Sequence, residues 1–147
     1  MQQGNIFLII LCIVIFAAAM VTIYLILKAN RKVHEMDELE GHDFEYYCAD
    51  LLKKDSFDNV EVTKGSGDFG VDILAEKDGI TYAFQCKCYD DTVGVKAVQE
   101  VYAGRDYYDR MVGVVMTNQY FTEPAQLMAG KLRIVLWDRD KLDELSV

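Results

Sequence analysis

The segment GSGDFGVDILAEKDGITYAFQCKC, residues 65–88, decides the fold of this 147-residue chain. Asp78-Gly79 lies between two apolar runs, and this dipeptide is a strong signal for a two-residue β-hairpin turn. If these two residues form the loop, Lys77 faces Ile80 in the neighbouring strand. The segment therefore predicts two antiparallel strands in a defined register.

The same register brings three polar side chains onto one face of the hairpin. Counting outward from the turn places Asp72 opposite Gln85, and Lys87 shares the face of Gln85 because side chains alternate along a strand. A carboxylate, an amide oxygen and an ammonium group in one place are the parts of a metal-and-water site. An ordinary solvated face is the alternative, since these residue types are also common on surfaces.

The apolar residues of the hairpin favour a buried pair of strands that presents a site. The face opposite the polar residues is expected to carry Val71, Ile73, Ala75, Tyr82, Phe84, Cys86 and Cys88. The polar face also contains Leu74 and Ala83. Strands that are apolar on both faces are typical of a sheet covered on both sides.

The remaining residues from 41 onward predict alternating helices and strands. Apolar spacing predicts four helices, over His42–Lys54, Val95–Tyr108, Thr122 to near Gly130, and Asp138–Leu145. Further strands are predicted over Asn59–Lys64, Arg110–Thr117 and Arg133–Trp137. The order α-β-β-β-α-β-α-β-α predicts a mixed sheet with helices on both faces.

Glu45 lies at the flank of the apolar stripe on the first of these helices. On the helical wheel it projects close to Leu52. A carboxylate in this position either looks into the domain or sits at the boundary with water. Wheel geometry leaves both interpretations open.

An uncharged apolar run, Ile6–Leu27, precedes the domain. As a helix it would be about 33 Å long, which is enough to cross a bilayer. We predict a transmembrane helix over residues 6–27, between an N-terminal tail (1–5) and a charged linker (28–40). A cleaved signal peptide is the alternative, but the run is long and no Lys or Arg precedes it.

Basic residues determine the predicted orientation of this span. Lys28, Arg31 and Lys32 follow it directly, so the positive-inside rule predicts a single-pass protein of the cell membrane with its C-terminal domain in the cytoplasm. The cysteines agree with a reducing compartment. Cys86 and Cys88 are two residues apart on one strand and cannot comfortably form a disulfide.

The domain over residues 41–147 is acidic, with 12 Lys and Arg residues against 20 Asp and Glu residues. An acidic surface repels polyanions, which excludes a general basic patch for nucleic acid. A nucleic-acid function would therefore need a local positive cluster or a bound divalent metal.

Four sequence blocks follow one another through residues 41–145. They are GHDFEYYCADLL (41–52), GSGDFGVDIL (65–74), FQCKCY (84–89) and VMTNQYFTEPA (115–125). Together they resemble the Mrr-type branch of the restriction-endonuclease-like superfamily, the PD-(D/E)xK nucleases. The resemblance implies an α/β fold over residues 41–147, with a mixed β-sheet flanked by helices.

The resemblance also implies a set of candidate catalytic residues. Asp72 would be the metal-binding aspartate, Gln85 the substitute for the usual acidic residue, and Lys87 the motif lysine. Glu45 would be the helix carboxylate that completes the site. Asp72, Gln85, Glu45 and the backbone carbonyl of Cys86 would then bind Mg²⁺ or Mn²⁺.

Two residues depart from the family pattern. Val71 replaces the proline of the family's name, a position that serves packing. Gln85 replaces Asp or Glu and removes one negative charge, although glutamine is familiar here in the Mrr-type branch. Candidates for contacts with substrate phosphates are Lys64, Lys96 and Gln99.

The predicted function is a membrane-anchored, Mg²⁺-dependent DNA endonuclease that hydrolyses phosphodiester bonds in DNA restriction or defence. Its expected partners are DNA, membrane lipid around the N-terminal helix, and a second copy of the chain in a homodimer. Two alternatives stay open. One is a catalytically weak or inactive nucleic-acid-binding or sensor module, and the other is an interaction domain of a membrane-associated assembly.

Overall fold

The computed structural model of the protein describes residues 2–64, 67 and 69–147, with the backbone alone described for residues 2–10 and 28–35. Part of the glycine-rich loop before the hairpin therefore lies outside the described residues. The chain forms two compact units, residues 1–35 and 36–147.

Helices and strands follow one another in the predicted order. The helices are α1 (Gln2–Asp37), α2 (Gly41–Lys54), α3 (Val95–Tyr107), α4 (Glu123–Leu132) and α5 (Arg139–Leu145). The strands are β1 (Asp58–Val62), β2 (Ile73–Lys77), β3 (Ile80–Lys87), β4 (Val112–Thr117) and β5 (Val135–Trp137). The side chains of Thr122 and Asp138 cap the starts of α4 and α5 by accepting backbone N–H bonds.

The five strands form one mixed sheet in the order β1-β2-β3-β4-β5. Strands β1, β2 and β3 pair antiparallel, whereas β4 pairs parallel with both β3 and β5. Lys77 faces Ile80 as predicted. Asp78 and Gly79 between them have φ angles of 53° and 77°, as the tight hairpin turn requires. The mixed sheet and the hairpin register are confirmed.

Helices cover both faces of the sheet and create two cores. The core under α2 and α5 contains Phe44, Phe84 and Leu142, all fully buried. The core under α3 and α4 contains Val101 and Val115. Neighbouring residues of one strand therefore belong to different cores, because side chains alternate between the two faces.

The pairing of β2 with β3 becomes irregular at Asp72. The ladder ends at the pair Ile73 and Phe84, and the Asp72 N–H donates to the Phe84 carbonyl at 2.7 Å. Beyond this point the side chains no longer alternate. Val71 packs beside Gly104 of α3, whereas Ile73 lies in the core under α2. The expectation that Val71 shares the face of Ile73 was therefore wrong, because an irregular residue breaks the period of two.

Helix α1 contradicts the predicted membrane span. In the described part of the chain no helix has both the length and the apolar character that crossing a membrane requires.

Several other predictions depended on this span. The transmembrane helix over residues 6–27 and the single-pass location in the cell membrane were wrong. Membrane lipid as a partner has no support. The side chains of Lys28, Arg31 and Lys32, on which the predicted orientation rested, lie outside the described residues.

Candidate active site

Gln85 is a buried polar residue at the centre of the candidate site. Its side-chain Nε2 donates a hydrogen bond of 2.9 Å to Oε2 of Glu100 on α3. A carboxylate can only accept, so this bond determines which end of the amide faces α3. The other end, Oε1, is buried and has no hydrogen-bond partner in the described part of the chain. An unpaired buried oxygen is destabilising unless something else binds it.

Lys87 lies two residues further along β3 and shares Glu100 with Gln85. Its Nζ is 3.1 Å from the same Oε2 atom, and its side chain is 20% exposed. Burial tends to lower the pKa of Lys87, but the hydrogen bond and charge of Glu100 outweigh burial and raise that pKa above its usual value. Burial tends to raise the pKa of Glu100, and the bonds from Lys87 and Gln85 lower it. Both groups are therefore charged at neutral pH.

A hydrogen bond to the backbone of β3, which turn counting did not predict, places Asp72 in the candidate site. Its Oδ2 accepts the backbone N–H of Cys86 at 2.6 Å. The irregular pairing at Asp72 therefore brings its carboxylate to the backbone between Gln85 and Lys87. Gln85 and Lys87 lie on β3 and Asp72 contacts the backbone of that strand, so the structure brings the three predicted residues together, although the geometry differs from a simple cross-strand pair.

Glu45 approaches the same strand from α2. Its side chain is 18% exposed and its Oε2 lies 2.6 Å from Nδ1 of His42, a partner that the sequence did not reveal. Burial, followed by the Cys48 thiol and then by the charges of Asp72 and Glu45, raises the pKa of the Cys86 thiol. Both carboxylates are therefore within electrostatic reach of Cys86.

The three candidates for phosphate contacts are all exposed. Lys96 is 87% exposed, and its Nζ is 3.6 Å from Oε1 of Glu100. With Lys87 and Glu100 it lines a depression of about 130 Å³ at the start of α3. Lys64 and Gln99 are also exposed, and neither forms a hydrogen bond with the other candidate residues in the part of the chain that the structure describes. Their roles remain predictions.

The donor atoms of this region fit a hard divalent cation. Within the described ranges, no three acidic, histidine or cysteine side chains lie close enough to form a metal site by themselves. The amide of Gln85 lies outside that set and contributes a buried, unpaired oxygen. Together with the Asp72 carboxylate it offers the oxygen ligands that Mg²⁺ prefers, and Mg²⁺ commonly keeps several waters as its remaining ligands.

Sequence reasoning missed Glu100. It lies four residues after Lys96 and therefore on the same face of α3, which is the signal that could have revealed it. Its contacts with Gln85 and Lys87 depend on how α3 packs against β3. Helical spacing alone does not contain that information.

Asn118 was also missed, although it belongs to the fourth sequence block. It is 1% exposed, and its Oδ1 accepts the Tyr89 N–H at 2.9 Å. Its Nδ2 donates to the Tyr89 carbonyl and to Asp37 Oδ1, each at 3.0 Å. Arg139 holds Asp37 with two bonds of 2.6 and 3.2 Å. This network anchors the chain two residues after Lys87.

Gly70 packs directly against Glu100. It has φ +77°, and a Cβ at this position would lie 2.8 Å from the Cβ of Glu100. We expect Gly70→Ala to lower the free energy of unfolding by about 2–4 kcal/mol, because the left-handed backbone and the steric overlap are both unfavourable. Urea denaturation of the full-length protein measures this loss.

Gly130→Ala is the matched control. Gly130 lies in α4 with nothing within 4 Å of an added Cβ, so alanine there should leave stability unchanged or raise it by up to about 1 kcal/mol. If Gly70→Ala were as stable as the wild type, the close contact between Gly70 and Glu100 of α3 would not exist.

Three solved structures are similar to this chain. AF1548, a protein of unknown function, has 24% identity over 64% of this chain and 55% of its own, with a TM-score of 0.55. The DNA modification-dependent restriction endonuclease AspBHI has 19% identity over 80% of this chain and 35% of its own, with a TM-score of 0.60. The MspJI restriction endonuclease, solved in complex with a 27-mer oligonucleotide, has 18% identity, coverages of 81% and 30%, and a TM-score of 0.57.

These similarities concern the fold. All three identities are below 25%, and the chain spans between 30% and 55% of the lengths of these proteins. The predicted restriction-endonuclease-like fold is confirmed for the domain.

A family comparison covers most of the second compact unit. The sequence profile of Mrr_cat, described as restriction endonuclease, matches residues 36–146. No curated protein matches the chain at a significant level. The matched range contains the hairpin, α3 and every candidate site residue named above. Because it covers well over half of the sequence, the chain belongs to the Mrr_cat restriction endonuclease family.

Proposed function

We propose that the protein is a metal-dependent endonuclease that hydrolyses phosphodiester bonds in DNA. The observation that carries this proposal is the Gln85 amide oxygen, which is buried and unpaired in the described part of a restriction endonuclease domain. An unsatisfied buried acceptor costs about 1–3 kcal/mol. Its position beside a lysine and near a carboxylate supports a role in binding a cation next to a phosphate.

Four groups would hold the cation. They are the Asp72 carboxylate, Gln85 Oε1, the Cys86 backbone carbonyl, and Glu45 acting through water. A bound Mg²⁺ or Mn²⁺ stabilises negative charge and lowers the pKa of a coordinated water. Because Gln85 is neutral, two carboxylates face the cation instead of three, and we expect weak metal affinity in the absence of DNA.

Lys87 supplies positive charge to the reaction. Glu100 raises the pKa of Lys87, which favours the protonated ammonium group. This ammonium group would donate hydrogen bonds to the phosphate oxygens and to the attacking water. This contact becomes stronger as negative charge develops on the phosphate.

A second candidate function is DNA binding without cleavage. The neutral Gln85 favours it, because the missing carboxylate weakens the affinity for the cation. Both candidates predict DNA binding and differ in whether the strand is cut.

Cleavage of supercoiled plasmid by the purified full-length protein tests the proposal. We expect nicked and linear products with Mg²⁺ or Mn²⁺ and none with EDTA. The assay should include unmodified plasmid and plasmid with modified bases, because AspBHI is a modification-dependent enzyme and this chain spans 35% of it.

Asp72→Asn separates genuine activity from a contaminant. We expect it to raise the Mg²⁺ concentration for half-maximal cleavage by at least about tenfold, because it removes one charged metal ligand. Asp50→Asn is the control, since Asp50 lies on the outer surface of α2 and is 68% exposed. Cleavage that is insensitive to both EDTA and Asp72→Asn would refute the proposal, and DNA binding without any cleavage would establish the second candidate.

A further inference from the structure

We propose that Glu100 is a positioning residue that supplies the negative charge missing from Gln85. In this role it orients the Gln85 amide toward the metal and holds the Lys87 ammonium beside the phosphate. The inference rests on the proposed function, because it assigns a role within the same site. It concerns a residue on α3, outside the hairpin that carries the three motif residues.

The hydrogen bond to Glu100 determines the orientation of the Gln85 amide. A glutamine side chain can present either its oxygen or its nitrogen in a given direction, and a carboxylate at the same position presents oxygen either way. Glu100 removes this ambiguity because it accepts from Nε2 at 2.9 Å and cannot donate. The oxygen is then left as the buried end that needs a partner.

Glu100 also brings a negative charge to Gln85. Gln85 replaces an acidic residue of the family pattern, and Glu100 places a carboxylate one hydrogen bond behind it. A carboxylate that accepts from a ligand's N–H makes that ligand a better donor to the metal. Gln85 and Glu100 together therefore carry one negative charge and one amide. This is the same total charge as that of a motif carboxylate at position 85 beside a neutral residue.

Glu100 contacts Lys87 as well as Gln85. The Oε2 atom that accepts from Gln85 also lies 3.1 Å from Lys87 Nζ, so one oxygen positions both the metal ligand and the cationic side chain. The backbone of Gly70 packs against Glu100 and links its position to the loop that leads to Asp72. Glu100 is thus in contact with both residues that flank Cys86 on β3.

Exchanging the two side chains tests the proposal. Three variants of the full-length protein are needed: Glu100→Gln, Gln85→Glu and the double variant that combines them. The thermal unfolding of each variant is measured at pH 8 without metal. Its affinity for Mn²⁺ is measured separately by titration, with free Mn²⁺ followed by electron paramagnetic resonance. Plasmid cleavage is a third and separate measurement.

The single variants should fail in different ways. Glu100→Gln should weaken Mn²⁺ binding by about 10- to 100-fold, since it removes the supporting charge and frees the Gln85 amide to turn. Gln85→Glu would place two carboxylates within hydrogen-bond distance, and we expect the melting temperature without metal to fall by about 5 °C or more.

The double variant should restore what the single variants lose. It again contains one carboxylate and one amide in contact, in exchanged positions. We expect its melting temperature without metal to return to within about 2 °C of wild type. Its Mn²⁺ affinity should be at least about tenfold higher than that of Glu100→Gln, because the carboxylate now occupies the ligand position itself.

Glu76→Gln is the matched control. Glu76 also contacts one amide and one cation, accepting from Asn59 Nδ2 at 3.1 Å and lying 3.8 Å from Arg110 Nη1. The Glu76→Gln variant should bind Mn²⁺ with an affinity within about twofold of that of the wild type. Equal Mn²⁺ affinities in Glu100→Gln and Glu76→Gln would overturn the proposal, as would a double variant no more stable than Gln85→Glu.

The measurements also separate this inference from the proposed function. If the wild-type protein binds Mn²⁺ and does not cut DNA, the endonuclease assignment fails and the exchange experiment still judges Glu100. If wild type cuts DNA and Glu100→Gln retains full Mn²⁺ affinity and full cleavage, the inference about Glu100 fails by itself.

Discussion

Replacing Lys87 by methionine is expected to lower the rate of plasmid cleavage by about 10²- to 10³-fold. Methionine retains a flexible apolar chain of similar reach and removes the ammonium group that would contact the phosphate. The bond between Gln85 and Glu100 can persist, so the loss should appear in the cleavage step. Single-turnover rates at saturating Mg²⁺ measure this step directly.

Lys77→Met is the control for this experiment. Lys77 is another half-buried lysine of the hairpin, 29% exposed and 2.9 Å from Asp55 Oδ2, at the opposite end of β2. We expect this variant to lose some stability and to cleave within about twofold of wild type. If Lys87→Met cleaves at the wild-type rate, Lys87 takes no part in the reaction. If the cleavage rate falls equally in both variants, the loss is an effect on folding.

The second large effect is expected in the core. Phe84→Ala should lower the free energy of unfolding by about 3–5 kcal/mol, a large part of the 5–15 kcal/mol that is typical of a domain. Phe84 is fully buried, and its ring lies 5.7 Å from those of Phe57 and Trp137 and 5.8 Å from that of Tyr82. Urea denaturation monitored by circular dichroism measures the loss.

The position of Phe84 links this core to the site. Its carbonyl accepts the Asp72 N–H at 2.7 Å, and Gln85 follows it on β3. Leu127→Ala is the control, because Leu127 is 67% exposed and its truncation should change stability by less than about 0.5 kcal/mol. Comparable losses in the two variants would show that Phe84 does not lie in the principal core.

Local patterns predicted most of the domain correctly. The Asp78-Gly79 turn determined the register of the hairpin, because a two-residue loop allows one pairing of the flanking strands. Apolar spacing located the helices and strands of the domain to within a few residues. These signals depend on neighbours along the chain and are complete in the sequence.

Other features depended on contacts between distant segments. The irregular pairing at Asp72 moved Val71 to the α3 side, and no residue type in the segment announces it. The apolar N-terminal run suggested a membrane span that the described helix does not support. In both cases a local pattern allowed more than one structure.

The sequence by itself determined the order of the elements and the hairpin register, and it predicted Asp72, Gln85 and Lys87 as candidate site residues. Only the tertiary structure decided which residue is hydrogen-bonded to the Gln85 side chain. Glu100 lies 15 residues away and reaches it when α3 folds back across β3. The physical reason is that a hydrogen bond between two elements depends on how they pack, whereas turn and helix signals depend on a few adjacent residues.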